Sequence, residues 1–241
     1  MVPEGFPPPD VAGMAHALRL EAASAQLTRD LSSAGADVMV LKGPPVQRRL
    51  LGEPAAYRSD DLDVLVRGIR PTAARRHLAD KGWTFHPGNG RLWRLDGAAA
   101  FLWRQAQIDV HWGLHVGLVP ARRMRPLAER MWSGARRADS QRFEPDALTL
   151  ATYLVLHSAD RLAHPGKRRL LEAAIAATGD DWSGITDLAR LASMESIPPV
   201  VRRLLATAST DPVDVLCLTY GRPRARAIEF LRRSLPQRLT G

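Results

Sequence analysis

The chain has 241 residues, 45% hydrophobic and 24% charged, which suits a soluble globular protein with one sizeable core or two small ones. No run reaches the ~18 apolar residues of a membrane helix, the start MVPEGFPPPD lacks the regions of a secretory signal, and the single Cys217 excludes an intrachain disulfide and a zinc motif. The expected location is therefore the cytoplasm, and Cys217 reads as a small buried hydrophobe. The net charge of +9 is spread over arginine pairs such as Arg48-Arg49, Arg122-Arg123 and Arg202-Arg203; it reads as solvated helix faces, with a nucleic-acid surface as the alternative.

A proline-rich arm is expected through Pro9, followed by a helix capped by Asp10 that runs to about Ser33 and ends at Gly35. Asp37–Leu41 is a buried-strand candidate, and Pro44 can start a short helix to Leu51. Asp61–Val66 reads as a second strand and Pro71–Lys81 as a helix. Short strands follow at Trp83–His86, Arg91–Leu95, Ala100–Arg104 and Gln107–Trp112, with hairpin signals at Pro87-Gly88-Asn89-Gly90 and Asp96-Gly97. From Asp146 onward the pattern is helical: Leu148–His157, Lys167–Thr178, Ile185–Met194, Pro198–Ala208 and Arg222–Leu235. The expected organisation is an arm (1–9), an α+β domain with its N-terminal helix (10–143) and a helical domain (144–241).

The candidate chemistry lies on the strands. Asp61 and Asp63 stand two apart, so their carboxylates project to one face and can converge on a hard cation. Asp is depleted in strands, and Asp63 runs directly into Val64-Leu65-Val66, where a buried carboxylate is costly without a compensating cation. Asp109, in Ile108-Asp109-Val110-His111-Trp112, is a third acid in a similar setting. It would complete a second ion site or take a nucleophile's proton. Mg²⁺ joins one or two carboxylates to substrate phosphates, and two such ions activate an attacking hydroxyl and stabilise leaving pyrophosphate; Mn²⁺ is the substitute ion. Lys42-Gly43 ends the first strand, the lysine a point charge for phosphate and the glycine open to close approach of an anion. His111 shares the face of Asp109 and is read as an accessory that orients that carboxylate or contacts substrate. A zinc site through His111 and His115 lacks a nearby third ligand.

Val40-Leu41-Lys42-Gly43, the run Arg58-Ser59-Asp60-Asp61-Leu62-Asp63-Val64-Leu65-Val66, and Ile108-Asp109-Val110-His111-Trp112 together resemble the uncharacterised nucleotidyltransferases of the polymerase-β-like superfamily. The likeness spans about residues 35 to 190. It implies an α+β fold with a polymerase-β-like palm (a mixed sheet with flanking helices) followed by a helical region. It also implies Mg²⁺-dependent transfer of a nucleoside monophosphate from an NTP, and Asp61, Asp63 and Asp109 as the acidic triad. The superfamily's glycine-serine turn is replaced here by Lys42-Gly43-Pro44, and Pro44 offers neither hydroxyl nor N–H. Arg58 and Ser59 are therefore expected to supply phosphate contacts. The acceptor stays open: a small molecule, a peptide or tRNA. Two alternatives stand beside this reading, a non-catalytic nucleotide- or RNA-binding protein on the same fold and a toxin-like enzyme that modifies tRNA.

Overall fold

The computed structural model describes residues 11–59, 61–86, 97–114, 116, 121–139, 141–158 and 164–206. The expected N-terminal arm, the strand Arg91–Leu95, the helix Arg222–Leu235, His115 and Cys217 lie outside them. Helix α1 (Val11–Ser33) buries Leu20, Leu27 and Leu31 on one stripe, and Gly35 at φ +81 turns the chain into β1 (Asp37–Val40). Then come α2 (Pro44–Leu51), β2 (Leu62–Arg67), α3 (Pro71–Asp80), β3 (Thr84–His86), β4 (Ala98–Trp103) and β5 (Ala106–His111). Next are α4 (Ala121–Ser133), β6 (Arg136–Arg137) and β7 (Arg142–Glu144). The chain continues through α5 (Ala147–Ser158), α6 (Pro165–Ala176), α7 (Trp182–Arg190) and α8 (Ile197–Ala206). Proline opens α2, α3 and α6, where its missing N–H costs no helix hydrogen bond.

The described strands form one mixed sheet in the order β3-β4-β5-β2-β1-β7-β6, so the fold is α+β with helices packed on a central sheet. β2 is its buried centre, antiparallel to β1 and parallel to β5, with Leu62 to Val66 all inaccessible. A single buried cluster runs from Leu20 of α1 through the strands to Leu204 of α8. None of the described helices is long and apolar enough to cross a membrane.

The structure contains three elements that sequence patterning does not reveal. In α4 the buried residues Met124, Leu127, Ala128 and Met131 keep helical spacing, but Pro126 and the arginines around it disguise the stripe. β6 and β7 are two and three residues long and mostly charged; β7 is held as a strand by parallel pairing with β1 and antiparallel pairing with β6. The β4–β5 hairpin turns at Arg104-Gln105, both at positive φ (47° and 68°), not after Arg104 as the sequence suggests, since no glycine or asparagine marks the turn in the sequence. That two-residue turn fixes the register that sets Ala100 opposite Asp109.

Asp30 of α1, 6% exposed, anchors the neighbouring layer: it accepts from Trp83 Nε1 at 2.8 Å, and its carbonyl is 2.8 Å from His77 Nε2 of α3. Removing a partner from a buried donor leaves an unsatisfied group worth about 1–3 kcal/mol. Asp30→Ala is therefore expected to lower urea stability by about 2 kcal/mol with an unchanged m-value, whereas the bond is dispensable if the midpoint stays put.

Candidate active site

Register and alternation bring the acids together. Asp63 of β2 and Asp109 of β5 are direct partners across parallel strands, and Asp61 sits just ahead of β2, one alternation before Asp63. One carboxylate oxygen from each of Asp61, Asp63 and Asp109 lies within 4.8 Å of the other two. Asp63 is the buried member, its side chain 3% exposed, while that of Asp61 is 32% exposed.

The loops around the cluster are held from behind. His16 of α1 lies 2.8 Å from the Ser59 carbonyl, and the Ser59 hydroxyl donates to the Asp61 carbonyl at 2.8 Å. Ser59 thus shapes the approach to Asp61, and Arg58 beside it is exposed. Gly43, at φ +97, ψ −169, is the N-cap of α2 and takes a backbone conformation that essentially only glycine adopts. A β-carbon there would also press on Leu62 at 3.1–3.3 Å. α2 is tied down by the ion pairs Arg48–Glu21 and Arg49–Glu144.

Lys42 sits among the acids. Its Nζ is 3.1 Å from Asp63 Oδ2 and 3.2 Å from Asp61 Oδ1. Burial works to lower its pKa, but attraction to Asp63 and Asp61 outweighs that and raises it, so the ammonium stays charged. Burial likewise works to raise Asp63, and the nearby Lys42 and His111 override it and hold the carboxyl far below its usual range. Asp109 is different: burial, reinforced by repulsion from Asp63 and Asp61, pushes its pKa up.

The predicted residues Lys42, Asp61, Asp63 and Asp109 thus meet in one cluster. His111 joins it, but its Nε2 stands 3.7 Å from Asp63 Oδ2; the residue that orients Asp109 is Gln107, whose Nε2 donates to Asp109 Oδ1 at 3.0 Å from two positions back on the same strand face. Two tyrosines were not foreseen. Tyr153 of α5 is buried and aims its hydroxyl at Asp63 Oδ2 at 3.4 Å, with its ring stacked on His157. Tyr57 lies near Lys42 and the acids, its phenol pushed up to about 12 chiefly by burial, and meets His164 edge-on at 5.7 Å. In sequence Tyr153 is one more apolar residue of a buried helix, and only the position of Tyr57 beside Arg58-Ser59 hinted at a site.

These residues fit a hard divalent ion. Oxygen donors from three carboxylates converge, and Asp63 Oδ1 is buried with no hydrogen-bond partner among the described residues. A buried anionic oxygen left unpaired in this way is what a bound cation satisfies.

A family model described as "Uncharacterised nucleotidyltransferase" matches residues 12–198. No curated protein matches the chain significantly. Among solved structures the chain is similar to a tRNA nucleotidyltransferase complexed with a primer tRNA and an incoming ATP analogue, with 14% identity, 88% of this chain and 86% of that one covered, and a TM-score of 0.32.

The raised pKa of Asp109 has a direct consequence for the metal-free protein. A carboxyl whose folded pKa exceeds the unfolded value of about 3.9 weakens the fold as pH climbs through that interval, and the penalty is complete above the folded pKa. Asp109→Asn, which keeps the Gln107 contact, is expected to raise the melting temperature in chelator at neutral pH, and the gain is expected to vanish as pH falls to about 4. A melting temperature below that of the wild type at pH 7 would contradict this placement of charge.

Proposed function

Since the chain belongs to a family of nucleotidyltransferases, we propose that it transfers a nucleoside monophosphate from an NTP to an acceptor hydroxyl or phosphate, releasing pyrophosphate. The observation that carries this reading is the three-carboxylate cluster with the unpaired, buried Asp63 Oδ1. Asp61, Asp63 and Asp109 would hold Mg²⁺, two ions in the full site, or Mn²⁺ in its place. When bound, the metal would offset phosphate charge and lower the pKa of the acceptor oxygen.

The chain's own residues divide the remaining work. Asp63 is fixed by Lys42 and Tyr153 and stays ionised. Asp109, oriented through Oδ1 by Gln107, leaves Oδ2 to take the acceptor's proton. Triphosphate recognition falls to side chains. Pro44 and Pro45 have no N–H, and the next two amides, Val46 and Gln47, already bond to the Gly43 carbonyl at 3.1 and 3.0 Å. The first turn of α2 therefore offers few donors to an anion, which leaves Lys42 and exposed Arg58 for the phosphates. Ser59 supports Asp61 from behind. In-line attack would be promoted by positioning and charge neutralisation.

Thermal stabilisation by each NTP, with and without Mg²⁺, tests the reading on the wild type and on Asp61→Asn/Asp63→Asn. A nucleotide at 100 times its Kd is expected to add about 2.7 kcal/mol in the presence of metal, and the gain is expected to disappear in the double variant. Stabilisation by none of the four NTPs would move the function to a binding module without catalysis. The net charge of +9 favours an anionic acceptor such as tRNA as the second reading; binding that weakens steeply with salt would support it.

A further inference from the structure

Lys42 is placed where a metal would sit. Its Nζ is 3.1 Å from Asp63 Oδ2 and 3.2 and 3.3 Å from Asp61 Oδ1 and Oδ2, and its side chain is only 14% exposed. A hard divalent ion shared by the same two carboxylates binds their oxygens at roughly 2.1 Å. That position lies inside the shell the ammonium fills, and two cations on one set of oxygens repel. The other side of the cluster is free of the lysine. Asp63 Oδ1 has no hydrogen-bond partner among the described residues, and Asp109 is held through Oδ1 by Gln107 alone in the contacts observed. The cluster is thus divided: the chain neutralises the Asp61/Asp63 side itself and leaves the Asp63/Asp109 side to a cation from outside.

The choice of residue suits exchange better than permanence. Lysine is rare here, three among 34 basic residues, and this one stands at the acids. Arginine would fork onto a carboxylate with two parallel bonds and be hard to dislodge, whereas an ammonium on a four-carbon stem can turn to a new anion.

We infer that Lys42 is an exchangeable counter-ion, occupying the Asp61/Asp63 side while nucleotide is absent and passing to the phosphates when a metal–nucleotide complex enters. The inference rests on the metal reading proposed above and adds a linkage to it. Ion and nucleotide strengthen each other's binding, because the phosphates give the displaced ammonium a new partner.

Mn²⁺ binding without nucleotide, followed by the EPR signal of the free ion, tests this on the wild type, Lys42→Met, Lys42→Arg and Asp61→Asn/Asp63→Asn. Freeing the oxygens in Lys42→Met is expected to tighten Mn²⁺ about tenfold, within the roughly 5–150-fold range of such couplings. Lys42→Arg is expected to weaken it several-fold, and this comparison decides the matter if Lys42→Met does not fold. Equal affinity in the wild type and the Lys42 variants, with binding abolished by the double aspartate substitution, overturns the exchange and leaves the metal site standing. Binding that is absent throughout, or indifferent to the double substitution, overturns the metal site and the exchange together.

Discussion

The structure depends on holding three carboxylates within 4.8 Å of one another at the edge of a hydrophobic core. Two like charges about 4 Å apart repel by roughly 4 kcal/mol at a dielectric appropriate to a protein surface, so the arrangement opposes folding. It is overcome by the strand that carries it. Leu62, Val64, Leu65 and Val66 are each essentially inaccessible, and burying one such side chain contributes about 1.5–3 kcal/mol. Asp63 is carried into the core between them, and Lys42 reaches across from the end of β1 to keep it ionised. The geometry follows from pairing. β1 runs antiparallel to β2, with the Leu41 amide on the Asp63 carbonyl at 2.9 Å, which delivers Lys42 to the head of β2; the parallel register of β2 and β5 delivers Asp109.

That logic explains what was legible in the sequence. Alternation along one strand is a local property, so Asp61 and Asp63 could be assigned to one face from their spacing alone. The strand character of Ile108-Asp109-Val110 was equally plain, and with it the partnership of Asp109 with the pair. Helices α1, α2 and α3 were visible because proline, aspartate and glycine mark their ends. Less legible was anything decided by a partner distant in the chain. Tyr153 belongs to the site only because α5 packs its hydroxyl toward Asp63, and His111 faces Asp63 because parallel pairing sets it beside Leu65 of the neighbouring strand. β7 has too little apolar character to announce a strand and owes its form to the free edge of β1.

The double proline at the start of α2 shifts the balance of the site. A helix N-terminus normally serves anions through free amides, and here two are missing by chemistry while the next two are spent on the Gly43 carbonyl. What remains at this point is the ammonium of Lys42, paired with Asp61 and Asp63. Side-chain cations bind phosphate with less directional demand than a ring of amides, and they can be shared between phosphate and carboxylate. Nucleotide binding of the kind proposed would thus be tied to the electrostatic state of the acids.

The helices that follow the sheet complete the site and do not merely cover it. Tyr153 of α5 directs its hydroxyl to Asp63 from within the core, and His157 stacks on its ring one turn later. Tyr57, from the connection between α2 and β2, packs against α6 so closely that a β-carbon at Gly166 would collide with it, and its ring meets His164 at the start of that helix. Its backbone N–H is held by Gln47 of α2 at 3.1 Å, so α2, the loop before the acids and α6 form one connected support. Because one buried cluster joins α5 to α8 with β1, β2 and β5, a shift of these helices would be felt at Asp63 through Tyr153 and at the Arg58-Ser59 loop through Tyr57. An acceptor bound against the helical half would therefore act on the same residues that position the acids.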